Sequence, residues 1–350
     1  MNGFLRRSFI AVLGVLIIAA SSAQSPPGAA QREIGPMSLT EGPSGSSTTI
    51  IAPAEVAPGE ILRVVAAGRP APVRVEVLRE NARIARADRI DVRMTGATEL
   101  GVFLLGIEPT ADAGDYRLRG VGADGSVIFE RDVRILEHEF RVEEIHLTPA
   151  LTSLRRDPDP ERTEQSRILT ELIFSRDPDA LYHSGRLAWP MPPDTRQTSL
   201  YGDMRSFIYS DGQRARTVHY GLDLAAPTGT QVTSSGRGIV RMARDRILTG
   251  KTVVIEHLPG VFSMYYHLHE LHVSEDEVVD EGDPIGTVGA TGLATGPHLH
   301  WEVRVGGVAV SPVALTRRPL LADLVGPDAL PTEQPETQEH GPVPEEHSAP

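Results

Sequence analysis

Between residues 48 and 318 the apolar residues of this chain come in short runs, cut apart by glycine and proline, which leaves little room for long helices. The 350 residues include 33 glycines and 28 prolines, while aromatic residues make up only 5%. Runs such as Ile61–Ala66, Val73–Leu78, Val102–Leu105, Tyr116–Val121 and Val127–Val133 have the length of strands. In the second of them Val73, Val75 and Val77 alternate with Arg74 and Glu76, the two-residue period of a strand with one buried face. The length allows about two domains.

Residues 48–137 predict an immunoglobulin-like β-sandwich. Asp124-Gly125 is a hairpin turn signal, and Ala113-Gly-Asp-Tyr-Arg-Leu118 has the form of the tyrosine corner found in such sandwiches. Residues 138–185 predict a connector with one helix: Asp159 caps it, Pro160 opens it, and Ile168, Leu169, Leu172 and Ile173 form one apolar stripe that must pack on a neighbouring domain. Residues 186–318 are again strand-rich. The fold class expected is therefore mainly β, an antiparallel β catalytic domain preceded by the sandwich and the helix-containing connector.

The ends read differently. Arg6 and Arg7 followed by the apolar run Phe9–Ala20 predict a signal peptide over residues 1–23, cleaved after Ala23. Residues 24–47 predict a flexible linker rich in Ser, Pro, Gly and Ala, and residues 319–350 a disordered acidic tail. An exported chain of this kind works in the periplasm or cell envelope, or is secreted. The net charge is −13, and loss of Arg6 and Arg7 carries it to −15. Such a chain is a poor partner for nucleic acid.

The chain has no cysteine, which excludes disulfides, thiolate metal sites and cysteine nucleophiles. A metal must then be held by histidine and carboxylate, and seven of the twelve histidines fall within 186–318. In Gly296-Pro-His-Leu-His300, continuing Trp301-Glu302-Val303, the two histidines lie two residues apart. On a strand His298, His300 and Glu302 share a face, with Leu299, Trp301 and Val303 turned to the core. In His219-Tyr-Gly-Leu-Asp223 the polar ends share a face, and Gly221 between them leaves room for an ion. One histidine, one aspartate and another histidine make three ligands, the usual protein share of a catalytic zinc site, although these ligand types also admit other divalent ions. Zinc lowers the pKa of its water towards ~7 and polarises a carbonyl. His267 and His298 remain over, and histidine suits proton transfer near neutral pH.

Other histidines read as structural. His257 ends or supports a strand over Thr252–Glu256. His269-Glu-Leu-His272 is one residue short of the helical His-Glu-x-x-His motif and reads as the start of a surface loop. His138, His146 and His183 stand alone, and His340 and His347 fall in the tail.

Residues 199–312 resemble the lysostaphin-type (LytM-like) zinc metallopeptidase family. The matching elements run in family order from Ser199-Leu-Tyr-Gly-Asp-Met-Arg205 and His219–Thr230, through Gly250–His257, Tyr265-Tyr-His-Leu268 and Val279–Gly286, to Gly289–Val303 and Ser311-Pro312. The resemblance implies one Zn2+ held by His219, Asp223 and His300, with His267 and His298 as catalytic histidines. Tyr201, Arg205, His257, His269 and Glu302 are candidates for supporting the centre or lining the substrate groove; His269 departs from the small polar residue frequent at its position. The implied function is hydrolysis of peptide cross-links or stem peptides of peptidoglycan through a zinc-activated water. The alternative is a non-catalytic or autoinhibited regulator of other wall hydrolases, but all five site residues are present. The sandwich is a candidate surface for an envelope protein partner.

Overall fold

A computed structural model describes residues 38–41, 48–80, 82–93 and 99–323. The expected signal peptide, most of the expected linker and residues 324–350 lie outside the described residues.

Two five-stranded sheets form the N-terminal half. One runs in the order Ser38–Glu41, Thr49–Ala52, Ile61–Ala67, Glu99–Gly106, Ile90–Arg93. The other runs Glu55–Val56, Val127–Ile135, Gly114–Val121, Arg74–Arg79, Ala82–Asp88. Leu62, Val64, Phe103, Leu105 and Leu118, all fully buried, fill the space between them. The Tyr116 hydroxyl donates to the Asp112 carbonyl at 2.8 Å, closing the corner expected from the sequence. Residues 38–41 correct the linker boundary. They pair antiparallel with Thr49–Ala52, because a strand edge offers its main-chain groups to any passing segment, whatever that segment's composition.

The run Val102–Leu105 is apolar at every position because its sheet is covered on both faces. Phe103 and Leu105 point into the sandwich. Val102 and Leu104, with Ile90 and Val92, join the core of the C-terminal half. The two halves are locked further where Tyr201 lies against Gly59, where the Ser311 amide donates to the Gly59 carbonyl at 2.7 Å, and where Arg63 pairs with Asp323 at 2.6 Å.

The C-terminal half is built on an antiparallel sheet in the order Gln197–Ser199, Gly221–Ala225, His298–Val305, Val261–Leu271, Lys251–Leu258, Gly238–Arg244, Val278–Val279. Its central strands bury Leu299, Trp301, Val303, Tyr265 and Val253 completely. Pro284–Val288 pairs with Val261–Leu271 and with Gln231–Thr233, and Val308–Val310 folds back on His298–Val305.

The connector departs from expectation. It holds two helices, α1 (Pro149–Arg156) and α2 (Pro160–Phe174), where the apolar stripe marks only the second. The first is short and rests on its cap: Thr148 Oγ1 accepts from the Leu151 amide at 3.3 Å, and Pro149 opens the first turn. The α2 stripe packs on Met242, Val254, Phe262, Met264 and Tyr266, on the sheet face that also carries His300 and Glu302. Ahead of α1, Val142–His146 pairs parallel with Met204–Ile208, which pairs antiparallel with Arg214–Val218. A third helix, α3 (Pro312–Arg317), follows the last strand. The expected tail starts too early: Leu320 and Leu321 are buried in the C-terminal core, since Pro319-Leu-Leu321 is apolar enough to continue it.

Candidate active site

His298–Val305 lies between Gly221–Ala225 and Val261–Leu271, so three strands contribute to one patch. The register sets Asp223 opposite His300 on one side and Tyr266 opposite His300 on the other. Strand alternation sends Leu299, Trp301 and Val303 inward and leaves His298, His300 and Glu302 on the open face. His219 sits just before its strand, fixed by its own amide donating to the Asp203 carbonyl at 2.8 Å. Gly221 is required for a different reason from the one expected. A Cβ there would lie 2.6 Å from His300 Nε2 and 2.6 Å from the Trp301 carbonyl oxygen. The space it yields belongs to the His300 ring.

His219 Nε2, Asp223 Oδ1 and His300 Nδ1 form a triangle with edges of 2.8, 2.9 and 3.0 Å. Among the described residues this is the cluster capable of holding a metal ion, and all three members are buried. The outer nitrogens are already committed. His219 Nδ1 lies 2.8 Å from the Leu200 carbonyl oxygen, which only accepts, so Nδ1 carries the proton. His300 Nε2 lies 3.3 Å from a Glu302 carboxylate oxygen. Both rings therefore turn the remaining nitrogen lone pair to Asp223, an arrangement that calls for a cation. Two imidazoles and one carboxylate fit zinc.

In the metal-free protein a proton shared between His300 and Asp223 takes the place of that cation. Burial opposes ionisation of Asp223, but hydrogen bonds to His219 and His300 hold its pKa well below the usual carboxylate range. Burial also opposes charge on His300, yet Asp223 and Glu302 outweigh it and raise its pKa. Burial lowers that of His219. Glu302 is ion-paired with Arg304, and Arg205 with the second oxygen of Asp223. The Tyr266 ring stacks on His300, with centroids 5.2 Å apart and planes within 1°.

His267 and His298 stand beside the triangle with ring centroids 4.8 Å apart. Each Nδ1 faces a backbone carbonyl at 2.8 Å, of Thr291 and Gly296 respectively, so each donates there and leaves Nε2 free. His298 Nε2 is 3.8 Å from Asp223 Oδ1. Burial, then the neighbouring His298 and His300, push the pKa of His267 down to about 3, so it is neutral at neutral pH. Its backbone has φ of 62°, a left-handed conformation costly for a residue with a Cβ, and the amide donates to the Thr249 carbonyl at 2.8 Å.

The other expected residues divide. Arg205 contacts Asp223 and Glu302 contacts His300. Tyr201 does not line the groove; it wedges against Gly59 and donates to the Ala309 carbonyl at 2.8 Å, joining the two halves. His257 is fully buried elsewhere, bonded to the Arg237 carbonyl and Ser263 Oγ at 2.8 and 2.7 Å, and contacts no ligand. His269 is exposed, as is His272, but the strand runs on to Leu271, so the expected loop start is corrected. The strand continues because Leu268, Glu270 and Leu271 pair with Pro284–Val288. Sequence reasoning missed Tyr266, Arg304 and the carbonyls of Leu200, Thr291 and Gly296. Arg304 was within reach of the same alternation that selected Glu302.

The site opens into a groove of about 580 Å³. Leu147, Leu151 and Arg155 line part of it, so the connector helps to build it.

Fold and centre together define a class: a mainly β domain that presents a two-histidine, one-aspartate metal centre in a groove, flanked by two further histidines. Residues 217–312, a little over a quarter of the chain, match the model described as Peptidase family M23. The chain is 42% identical over 98 residues to the DD-carboxypeptidase/endopeptidase Mpg of Neisseria meningitidis, covering 28% of this chain and 23% of that one. It is 43% identical over 93 residues to the peptidoglycan DD-endopeptidase ShyA of Vibrio cholerae, covering 27% and 22%. The chain thus spans about a quarter of these relatives. The crystal structure of a peptidase M23 protein from Pseudomonas aeruginosa superposes with a TM-score of 0.51 at 24% identity, over 74% of this chain and 94% of that one, which extends the shared fold beyond the catalytic domain.

Proposed function

We propose that this chain is an exported zinc metallo-endopeptidase of the periplasm or cell envelope that hydrolyses peptide cross-links or stem peptides of peptidoglycan. The observation that carries the reading is the triangle of His219, Asp223 and His300 beside two histidines whose Nε2 atoms are free. The relatives named as DD-endopeptidases favour a bond between D-residues as the target.

His219, Asp223 and His300 would hold one zinc ion, which when bound supplies Lewis acidity towards water and the scissile carbonyl. Glu302 fixes the His300 ring and Arg205 fixes Asp223, so neither ligand needs to reorganise. His267 and His298 present free Nε2 atoms: one takes a proton from the attacking water, and the imidazolium so formed can steady the oxyanion and pass that proton to the leaving amine. Burial keeps His267 neutral, with its Nε2 unprotonated. The sandwich turns one sheet to the catalytic half, which leaves the sheet edged by Ala82–Asp88 as the face for an envelope partner.

Digestion of purified peptidoglycan by the zinc-loaded full chain, read by mass spectrometry of released muropeptides, tests the proposal. Cross-link cleavage by wild type, absent with His300→Ala and with chelator, is the expected result. Stoichiometric zinc without cleavage would favour the regulator instead.

A further inference from the structure

The arginines of this acidic chain are mostly matched to carboxylates, but two that line the groove are not. Arg155 on α1 stacks its guanidinium over the Phe207 ring at 4.1 Å and directs Nε to the Tyr209 hydroxyl at 3.3 Å. Neither contact carries charge. Arg196, on the segment entering Gln197–Ser199, is exposed and has no ion pair among the described residues. The carboxylates in the same lining are all taken. Glu143 Oε2 accepts from Ser199 Oγ at 2.8 Å and lies 3.6 Å from Arg205. Asp223 faces two histidines and Arg205. Glu302 is held by His300 and Arg304. The charge left uncompensated in the groove is therefore positive, in a protein whose net charge is −13.

We propose that the groove selects peptides bearing free carboxylates, with Arg155 and Arg196 as the residues that read them. The inference rests on the peptidase reading and narrows its substrate to an anionic stem peptide, as against an uncharged bridge. A guanidinium pre-set over an aromatic ring loses little freedom on pairing with a carboxylate, and its planar fork matches the two oxygens. Arg155 is held in this way, whereas Arg196 supplies charge at the rim.

The test crosses two substrates with four proteins. One substrate is a D,D-cross-linked stem-peptide dimer with free carboxylates; the other is the same dimer with those carboxylates amidated. The proteins are the zinc-loaded full chain, Arg155→Gln, Arg196→Gln, and Arg317→Gln, which removes an exposed charge outside the groove lining. The expected result is that wild type prefers the free-carboxylate dimer by about tenfold in kcat/KM, chiefly through KM. Arg155→Gln and Arg196→Gln should each lower kcat/KM for the free-carboxylate dimer more than for the amidated one, with wild-type zinc affinity showing that the variants fold. Arg317→Gln should behave as wild type. Equal cleavage of both dimers by wild type, or equal losses on both in the variants, overturns the selectivity and leaves the peptidase reading standing. Cleavage of neither dimer overturns the peptidase reading. The equilibrium affinity of zinc-loaded His267→Ala for the two dimers then decides the selectivity without turnover.

Discussion

Asp223 and His300 face each other across neighbouring antiparallel strands, with Oδ1 2.8 Å from Nδ1 and His219 Nε2 closing the triangle. The geometry of this pair is set by backbone register, so the two side chains are brought together by folding itself. What remains adjustable is the orientation of each ring, and that depends on its outer partner.

Glu302→Gln should therefore weaken zinc binding without removing a ligand. The amide is uncharged and no longer favours the required His300 tautomer. A loss of about 10- to 100-fold in affinity is expected. Competition against a chromophoric chelator measures it, and unchanged affinity would show that Glu302 does not orient the ring.

Gly221→Ala should disturb the same ring from the other side. The new Cβ meets His300 Nε2 and the Trp301 carbonyl at 2.6 Å. The cost to folding should be about 1–3 kcal/mol, with a larger fall in zinc affinity than Glu302→Gln produces. Urea unfolding and zinc titration on the same sample separate the two effects.

Zinc should stabilise the folded chain by mass action. At a hundred times its dissociation constant the gain is about 2.7 kcal/mol. Thermal unfolding with and without zinc should show a rise in Tm for wild type and little for His300→Ala. A rise of equal size in both would place the metal elsewhere.

His257 and His267 both have pKa values near 3 in the folded metal-free protein, against 6.5 for an ordinary histidine, mainly because of burial. As pH falls below 6.5 the unfolded chain gains these protons and the folded chain does not. Stability is therefore lost between pH 6.5 and about 3. Each histidine should contribute about 2 kcal/mol of loss between pH 7 and pH 5. His257 is remote from the ligands, so it isolates the effect. His257→Gln should be less stable at pH 7 but lose less on acidification, as urea unfolding at the two pH values would show. An unaltered pH slope would argue against a neutral buried His257.

Leu104 joins the two halves. Truncation to alanine should cost about 2–5 kcal/mol, since it opens a cavity between sheets that cannot slide together independently. Limited proteolysis should then begin within the sandwich at lower temperature than in wild type.

The sequence made the strand faces legible because alternation acts at short range. His298, His300 and Glu302 separate from Leu299, Trp301 and Val303 on that pattern alone, and the α2 stripe and the Tyr116 corner are equally local. Contacts that depend on which strands become neighbours were not legible. Tyr266 reaches His300 only through register, and the carbonyls that set the histidine tautomers belong to loops whose course has no side-chain signature. Tyr201 and His257 lie within matching motifs, yet sheet pairing carries one to the sandwich and the other into a separate polar cluster. The short helix α1 has too little apolar periodicity to stand out, and Leu320-Leu321 is hidden by the acidic segment after it.

Val142–His146, α1 and α2 give a different outline to the working unit from that of residues 217–312. The matched module is compact, but its groove is partly lined by polypeptide lying upstream of it, and α2 packs on the same sheet face beside the site. A chimera that transplanted only this module would carry the metal and leave behind a bank of the groove, including Arg155. Two proteins sharing this module could thus diverge in what they digest without any change inside it, simply by exchanging the stretch that leads into it.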